Sequence, residues 1–518
     1  MATVLANARV LTLDPARPRA SVLRLDGGRV THVADDVTGL DGERIDLAGA
    51  VVLPGLGDAH LHLHGIGARA RQLDLRGASS ADEVAARVRG RHAELADGEW
   101  LLGRGWDQNR WPGAEYPTRE PLERAAPGRA VVLTRIDGHA SWVSGRALEL
   151  AGVHRGSPDP AGGSIVRDQG GEPTGLLIDT AMDLVTARVP EPTRAELRAD
   201  LLQGLAAVAR VGLTSVHDMA TTPAMADALA ELAREGCVGV RVYAHLYGSP
   251  AALAPRLAAP VRAGLYREVG VKLFADGALG SHGALLLCPY CDRPGERGLA
   301  LMEPAELEAS ARAVHAAGLQ IAIHAIGDLA NRRALDAISR AQGADRSRRH
   351  RVEHAQILAP EELPRFRALD VTASMQPTHA TSDMRWVEAR LGRERLRGAY
   401  AWQSLAAHGA RLCFGSDAPI EDENPWFGVH AALTRQDRQG TPAGGFVPEE
   451  RLSLGATLRA FTRGAAEAVH EDDPALRPGA RADLTLVDRD PFETAVTELW
   501  RVETLATWVD GRQVYAKP

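Results

Sequence analysis

A recurring alternation constrains this chain more than any other feature. Strand-like apolar runs at 51–58, 213–218, 238–245, 269–275, 319–325, 350–354, 371–376 and 410–416 are interleaved with amphipathic stretches at 194–210, 223–235, 304–317, 329–342, 360–368 and 386–408. Strands that alternate with helices imply βαβ units and a parallel sheet. Eight such strands suit an α/β fold of the (β/α)8, TIM-like barrel type. In that architecture the working residues gather at the C-terminal ends of the strands.

The two chain ends read differently. Residues 1–50 carry strand-like runs with a turn at Asp26-Gly27-Gly28, and 470–518 repeat the style with a turn at Asp510-Gly511. The barrel is expected over 51–469. Inside it, 65–210 is far longer than a plain crossover needs. It therefore reads as an insertion after the first barrel strand, a cap over the barrel mouth, and it holds Trp100, Trp106, Trp111 and Trp142.

The first barrel run leads into Asp58-Ala-His-Leu-His62. Side chains two apart on a strand share a face, so His60 and His62 can converge on one point, and imidazole is a common metal ligand. Later runs end near Lys272, His324, His354 and Asp417. Each has a plainer role open to it: a strand-end histidine bonded to backbone, a turn or N-cap aspartate, or a Lys272–Asp276 pair. The lysine stands out by composition. Of 60 basic residues only Lys272 and Lys517 are lysines, leaving 58 arginines. Arginine stays protonated in proteins, whereas a desolvated lysine can become a neutral amine. Position 272 demands an amine.

The segments PGLGDAHLHLHG (54–65), GRGWDQNRWP (103–112), RIDGHASWVS (135–144), VKLFADGALGS (271–281), IHAIGD (323–328), VEHAQ (352–356), MQPTH (375–379) and GSDAPIEDENP (415–425) occur in one order along the chain. In them the chain resembles the metal-dependent hydrolases of the amidohydrolase superfamily, within it amidohydrolase family 3, the YtcJ-like and N-substituted formamide deformylase-like group. The resemblance implies that the two chain ends build a small β-sandwich beside the barrel. It also implies two divalent ions, zinc by default. His60, His62 and Asp417 would hold one, His324 and His354 the other, and a carbamate formed from CO2 on Lys272 would bridge them. Catalysis would fall to Asp417 as proton shuttle, with Lys272 and His354. Trp106, His139, Asp276, Gln376 and His379 are the expected substrate contacts.

The implied reaction is hydrolysis of a C–N bond in an amide, N-acyl or N-formyl compound. The same centre would also serve a cyclic amide, a lactone or a phosphotriester. A non-catalytic binding protein is the alternative from another class, and a full ligand set argues against it. Tryptophans in the cap and after the seventh and eighth strands point to a small-molecule substrate with an apolar or aromatic group.

A net charge of −7 without a basic patch argues against nucleic acid as a partner. No apolar run is long enough to span a bilayer, and the N-terminus lacks a signal-peptide pattern. A cytoplasmic protein is the expectation, with a homodimer as the assembly left open. Cys288-Pro-Tyr-Cys291 sits in a Gly/Pro-rich loop with no second cysteine pair to complete a zinc site, and reads as two loop thiols.

Overall fold

The computed structural model describes residues 2–518 apart from Asn109, Arg110, Asp137, His139, Ala161, Gly162 and Ser281. It contains two compact units, one of residues 1–66 with 201–518 and one of residues 67–200.

The larger unit holds the barrel. Its strands are β1 (Leu56–Leu61), β2 (Leu213–Thr221), β3 (Arg241–Tyr247), β4 (Tyr266–Phe274), β5 (Gln320–Ala325), β6 (Arg351–His354), β7 (Thr372–Met375) and β8 (Arg411–Phe414). They pair in sequence order, each parallel to the next. The helices between them follow the local code. Thr222 caps the helix Pro223–Arg234 by accepting from the Met225 amide, and proline occupies the first turn. Ala226, Leu229, Leu232 and Ala233 then repeat every three or four residues and are buried.

Closure between β8 and β1 happens just past the strand ends. The Asp417 amide donates to the His60 carbonyl at 2.6 Å and the His62 amide to the Ala418 carbonyl at 2.8 Å. The buried Asp58 carboxylate accepts from the backbone amides of His60 (2.9 Å) and Ser416 (3.0 Å). A Cβ at Gly415 would lie 2.4 Å from the His60 nitrogen, so only glycine permits this approach.

The run expected as one strand at 51–58 is two. Val51–Pro54 pairs antiparallel with Leu484–Val487 in a six-stranded sheet drawn from both chain ends, and the barrel strand starts at Leu56. The barrel boundary thus moves from residue 51 to the far side of Gly55. A four-stranded sheet of residues 3–46 shares one hydrophobic cluster with the six-stranded sheet, including Leu5, Leu23, Leu25, Val52, Leu484 and Trp508.

The smaller unit has its own six-stranded sheet and its own core. Trp106, Trp111 and Trp142 meet there with ring centroids 5.9–6.2 Å apart. Each indole N–H is satisfied internally, by the carbonyls of Leu133, Ala78 and Thr118. Trp106 is 0% exposed. It was expected to touch substrate, and the structure corrects this: it fills the core of the insertion. Trp142 is buried in the same cluster, and Trp402 and Trp426 are buried as well. These five tryptophans therefore say nothing about substrate, because their large apolar area is spent on packing.

Truncating Trp106 to alanine should destabilise the protein by about 3–5 kcal/mol. Denaturant unfolding measures the loss, and limited proteolysis should place the weakened region within 67–200.

Candidate metal centre

The expected ligands come together at one end of the barrel. His60 lies one residue before the end of β1, and His62 directly follows it. Lys272 comes near the end of β4, His324 near the end of β5, and His354 ends β6. Asp417 follows β8. Donor atoms of His60, His354 and Asp417 all lie within 4.8 Å of one another. Asp417 Oδ1 is 3.1 Å from His62 Nε2 and 3.5 Å from His60 Nε2. Lys272 Nζ is 3.4 Å from His60 Nε2. The His324 ring is 4.6 Å from the His354 ring.

Strand parity alone would not produce this cluster. Along β6, Glu353 and His354 should face opposite sides, yet both reach into the barrel. His354 has φ 70° and Ala355 φ 43°, and Asp417 has φ 61°. Left-handed backbone at non-glycine residues is uncommon and is concentrated at functional sites. Here it turns two ligands inward as their strands end.

Three histidines are held from behind. His60 Nδ1 donates to Glu353 Oε2 at 2.6 Å, His62 Nδ1 to the Met219 carbonyl at 2.7 Å, and His354 Nδ1 to Gln376 Oε1 at 2.8 Å. A proton held on Nδ1 leaves the Nε2 lone pair for a ligand, the arrangement that orients metal-bound imidazoles. Protonation states suit the same purpose. Burial drives the His60 pKa down to about 4, with Lys272 adding to the effect, and drives His324 down to about 3. Burial also pushes the Asp417 carboxyl up, but His60, His62 and His354 outweigh it and hold the group well below its ordinary range. Burial brings the Lys272 ammonium down to about 8. Burial also lowers His354, whereas at His62 burial is outweighed by the hydrogen bond to Asp417 and the pKa is raised. Three neutral imidazoles, an ionised carboxylate and a deprotonable amine are a donor set that fits divalent metal.

The remaining site expectations divide. His379 lies beside the centre: its Nε2 is 3.5 Å from Asp417 Oδ2, its ring stacks on His354 at 5.8 Å, and Nε2 has no hydrogen-bond partner among the described residues. Gln376, expected at substrate, is buried and orients His354 instead. Asp276, also expected at substrate, is 0% exposed. Its oxygens accept from the amides of Ile326 (3.0 Å), Gly327 (2.8 Å) and Leu285 (2.8 Å). It ties down the loop after β5 and does not pair with Lys272. His139 lies outside the described residues. Cys288 and Cys291 are free and exposed. Sequence reasoning does not single out Glu353, Arg351 or His217. Glu353 lies inside the VEHAQ motif and Arg351 just before it, but nothing local marks Glu353 as the partner of His60 or the other two as its support.

The model of the Amidohydrolase family matches residues 43–515. This chain belongs to the amidohydrolase family. The putative amidohydrolase YtcJ of Bacillus subtilis is 34% identical to it over 481 residues, 92% of this chain and 91% of that protein. The N-substituted formamide deformylase of Arthrobacter pascens is 27% identical over 542 residues, 98% of this chain and 97% of that protein. A crystal structure of an uncharacterised metal-dependent hydrolase from Pyrococcus horikoshii is similar with a TM-score of 0.81 at 30% identity, covering 96% of this chain and 99% of that one. The chain is thus a metal-dependent hydrolase of the amidohydrolase superfamily, and its His60, His354 and Asp417 donor atoms lie close enough together to hold a metal ion. Among its described residues no helix is long and apolar enough to cross a membrane.

Zinc-loaded amidohydrolase should unfold at a higher temperature than the chelator-treated protein. At free zinc about 1,000-fold above Kd the gain is about 4 kcal/mol. Scanning calorimetry of both forms checks it, and re-addition of zinc should restore the higher transition.

Proposed function

We propose that this amidohydrolase cleaves the C–N bond of a small N-acyl or N-formyl amide at a centre of two divalent ions, held by His60, His62, His324, His354, Asp417 and a carbamate on Lys272. One observation carries the reading. Asp417 reaches the ligand histidines with Oδ1 and lies against His379 with Oδ2, so a single carboxylate stands between the ligand histidines and an imidazole whose Nε2 makes no hydrogen bond among the described residues.

Bound divalent metal supplies a water whose pKa falls towards about 7 and polarises the scissile carbonyl. The chain's own residues do the rest. Lys272, desolvated and without a carboxylate in ion-pair range among the described residues, can present its neutral amine to CO2. An N–C bond forms as one C=O π bond of CO2 opens, the nitrogen gives up a proton to solvent, and the neutral amine becomes an anionic carbamate with two oxygens. Asp417 then accepts the proton of the attacking water and passes it to the departing nitrogen, since an amine leaves poorly as its anion. His379 is placed to hydrogen-bond the substrate oxygen through its unpartnered Nε2.

An apolar or aromatic substituent remains the favoured substrate feature, on different grounds from the tryptophans. Phe274 lies 5.4 Å from the His324 ring with Lys272 Nζ 5.1 Å from its centroid, and Tyr247, 49% exposed, meets Phe274 edge-on at 5.8 Å. These rings form an aromatic wall beside the ligands. The deformylase relative, by its name, acts on N-substituted formamides, which supports the same bond class.

Wild-type enzyme assayed on N-formyl, N-acetyl and cyclic amides bearing aromatic or small aliphatic groups should turn over the linear aromatic amides best. Asp417→Asn should lose about 10²–10⁴ in kcat on the preferred one. Preference for lactones or phosphotriesters would replace the amide reading.

Lys272→Arg should lose activity and metal, because guanidinium forms no stable carbamate and adds an uncompensated cation. Lys272→Ala should regain part of its activity with acetate or propionate, and the arginine variant none. Metal analysis and rates with and without carboxylate check both.

A further inference from the structure

Beneath the centre the barrel interior is polar. Layers of branched apolar side chains usually fill this space, but His217, His245, Arg351, Glu353 and Ser374 are all 0% exposed. They are not scattered. Glu353 accepts from His60 Nδ1 at 2.6 Å through Oε2. Arg351 grips the same carboxylate with two bonds, Nε to Oε1 at 2.5 Å and Nη2 to Oε2 at 3.0 Å. The guanidinium is itself held by the Ala59 carbonyl at 2.6 Å, Ser374 Oγ at 2.7 Å and His217 Nδ1 at 2.8 Å. The His217 ring packs against Tyr243 at 5.4 Å and His245 at 6.4 Å. Gly270 makes room for this layer, since a Cβ there would come within 2.7 Å of the His245 ring.

A buried ion pair is a poor way to gain stability. Its desolvation penalty often cancels its attraction, and apolar residues of equal size frequently do as well. Its geometry, by contrast, bears directly on one ligand. Bidentate binding fixes the plane and rotation of the carboxylate, and an ionised carboxylate can only accept. His60 must then carry its proton on Nδ1, and its Nε2 lone pair must point at Asp417 and Lys272. Ala59, whose carbonyl holds Arg351, is the neighbour of His60, so the same guanidinium holds the backbone of that strand end directly and the His60 side chain through Glu353.

We infer that Glu353 and Arg351 are positioning residues of the metal centre, which fix the tautomer and direction of His60 from inside the barrel. The inference rests on the metal-centre reading proposed above. It goes beyond that reading by assigning affinity for the metal to two residues that never touch it.

Zinc affinity measured by chelator competition on the full-length protein tests it, with unfolding monitored in parallel. Arg351→Lys keeps the charge and removes the fork, and Glu353→Gln keeps the shape and removes the obligate acceptor. Each should bind zinc about 10–100-fold more weakly than wild type, the usual effect of losing a partner that orients a ligand. The double variant Arg351→Met with Glu353→Leu removes both charges at similar volume. It should recover stability relative to the single variants yet still bind zinc weakly, and it decides the matter should the single variants fail to fold. Variants that unfold more easily but bind zinc within about threefold of wild type would overturn the inference, for the pair would then be only a structural one. A double variant with wild-type zinc affinity would overturn it too. Wild-type protein that binds no zinc at all would instead bring down the metal-centre reading, and this inference with it.

Discussion

Everything at this site depends on how the first and last barrel strands are joined. His60 and His62 belong to β1 and Asp417 follows β8, so the centre exists only if the sheet closes. Closure rests on backbone hydrogen bonds between 60–62 and 417–418 and on Asp58, whose carboxylate receives amides from both sides of the seam. Burial raises the Asp58 pKa to about 7 against the pull of those donors. A carboxylate in that position is expensive to bury and effective in place, because backbone amides of two strands converge on it. The seam and the metal ligands are therefore built from the same few residues.

A barrel of this kind could have been filled with aliphatic side chains. This one carries a charged pair and two histidines in its interior, directly behind the most buried ligand. Hydrogen bonds in such surroundings are strong when complete and costly when incomplete. That asymmetry favours a site with one arrangement. Three of the four histidine ligands have a named acceptor behind Nδ1, and the backbone turns at His354 and Asp417 complete the inward aim. Rigidity of this sort suits a centre that must hold several donors close together before any metal arrives.

The aromatic residues divide by location. Tryptophan supplies cores: Trp106, Trp111 and Trp142 in the insertion, Trp402 and Trp426 in the larger unit. Phenylalanine and tyrosine at the ends of β4 and β3 stand beside the ligands. An aromatic residue in a sequence signals a large apolar area to bury, and only its neighbours decide whether protein or substrate buries it.

The sequence by itself determined the succession of strands and helices and the chemistry available at the strand ends. Both are short-range properties: periodicity is set by local backbone geometry, and the meaning of a His-x-His pair or a solitary lysine among arginines lies in the residues themselves. Tertiary structure decided the rest. Whether 51–58 is one strand or two depended on a partner at Leu484–Val487, more than 400 positions away. Asp276 and Gln376 have the right chemistry for substrate and were drawn into holding a loop and a ligand. Glu353 meets His60 across 293 positions, and no local pattern announces that contact. Burial and hydrogen-bond pairing arise only when distant segments pack, so the roles that depend on them could be read only from the folded chain.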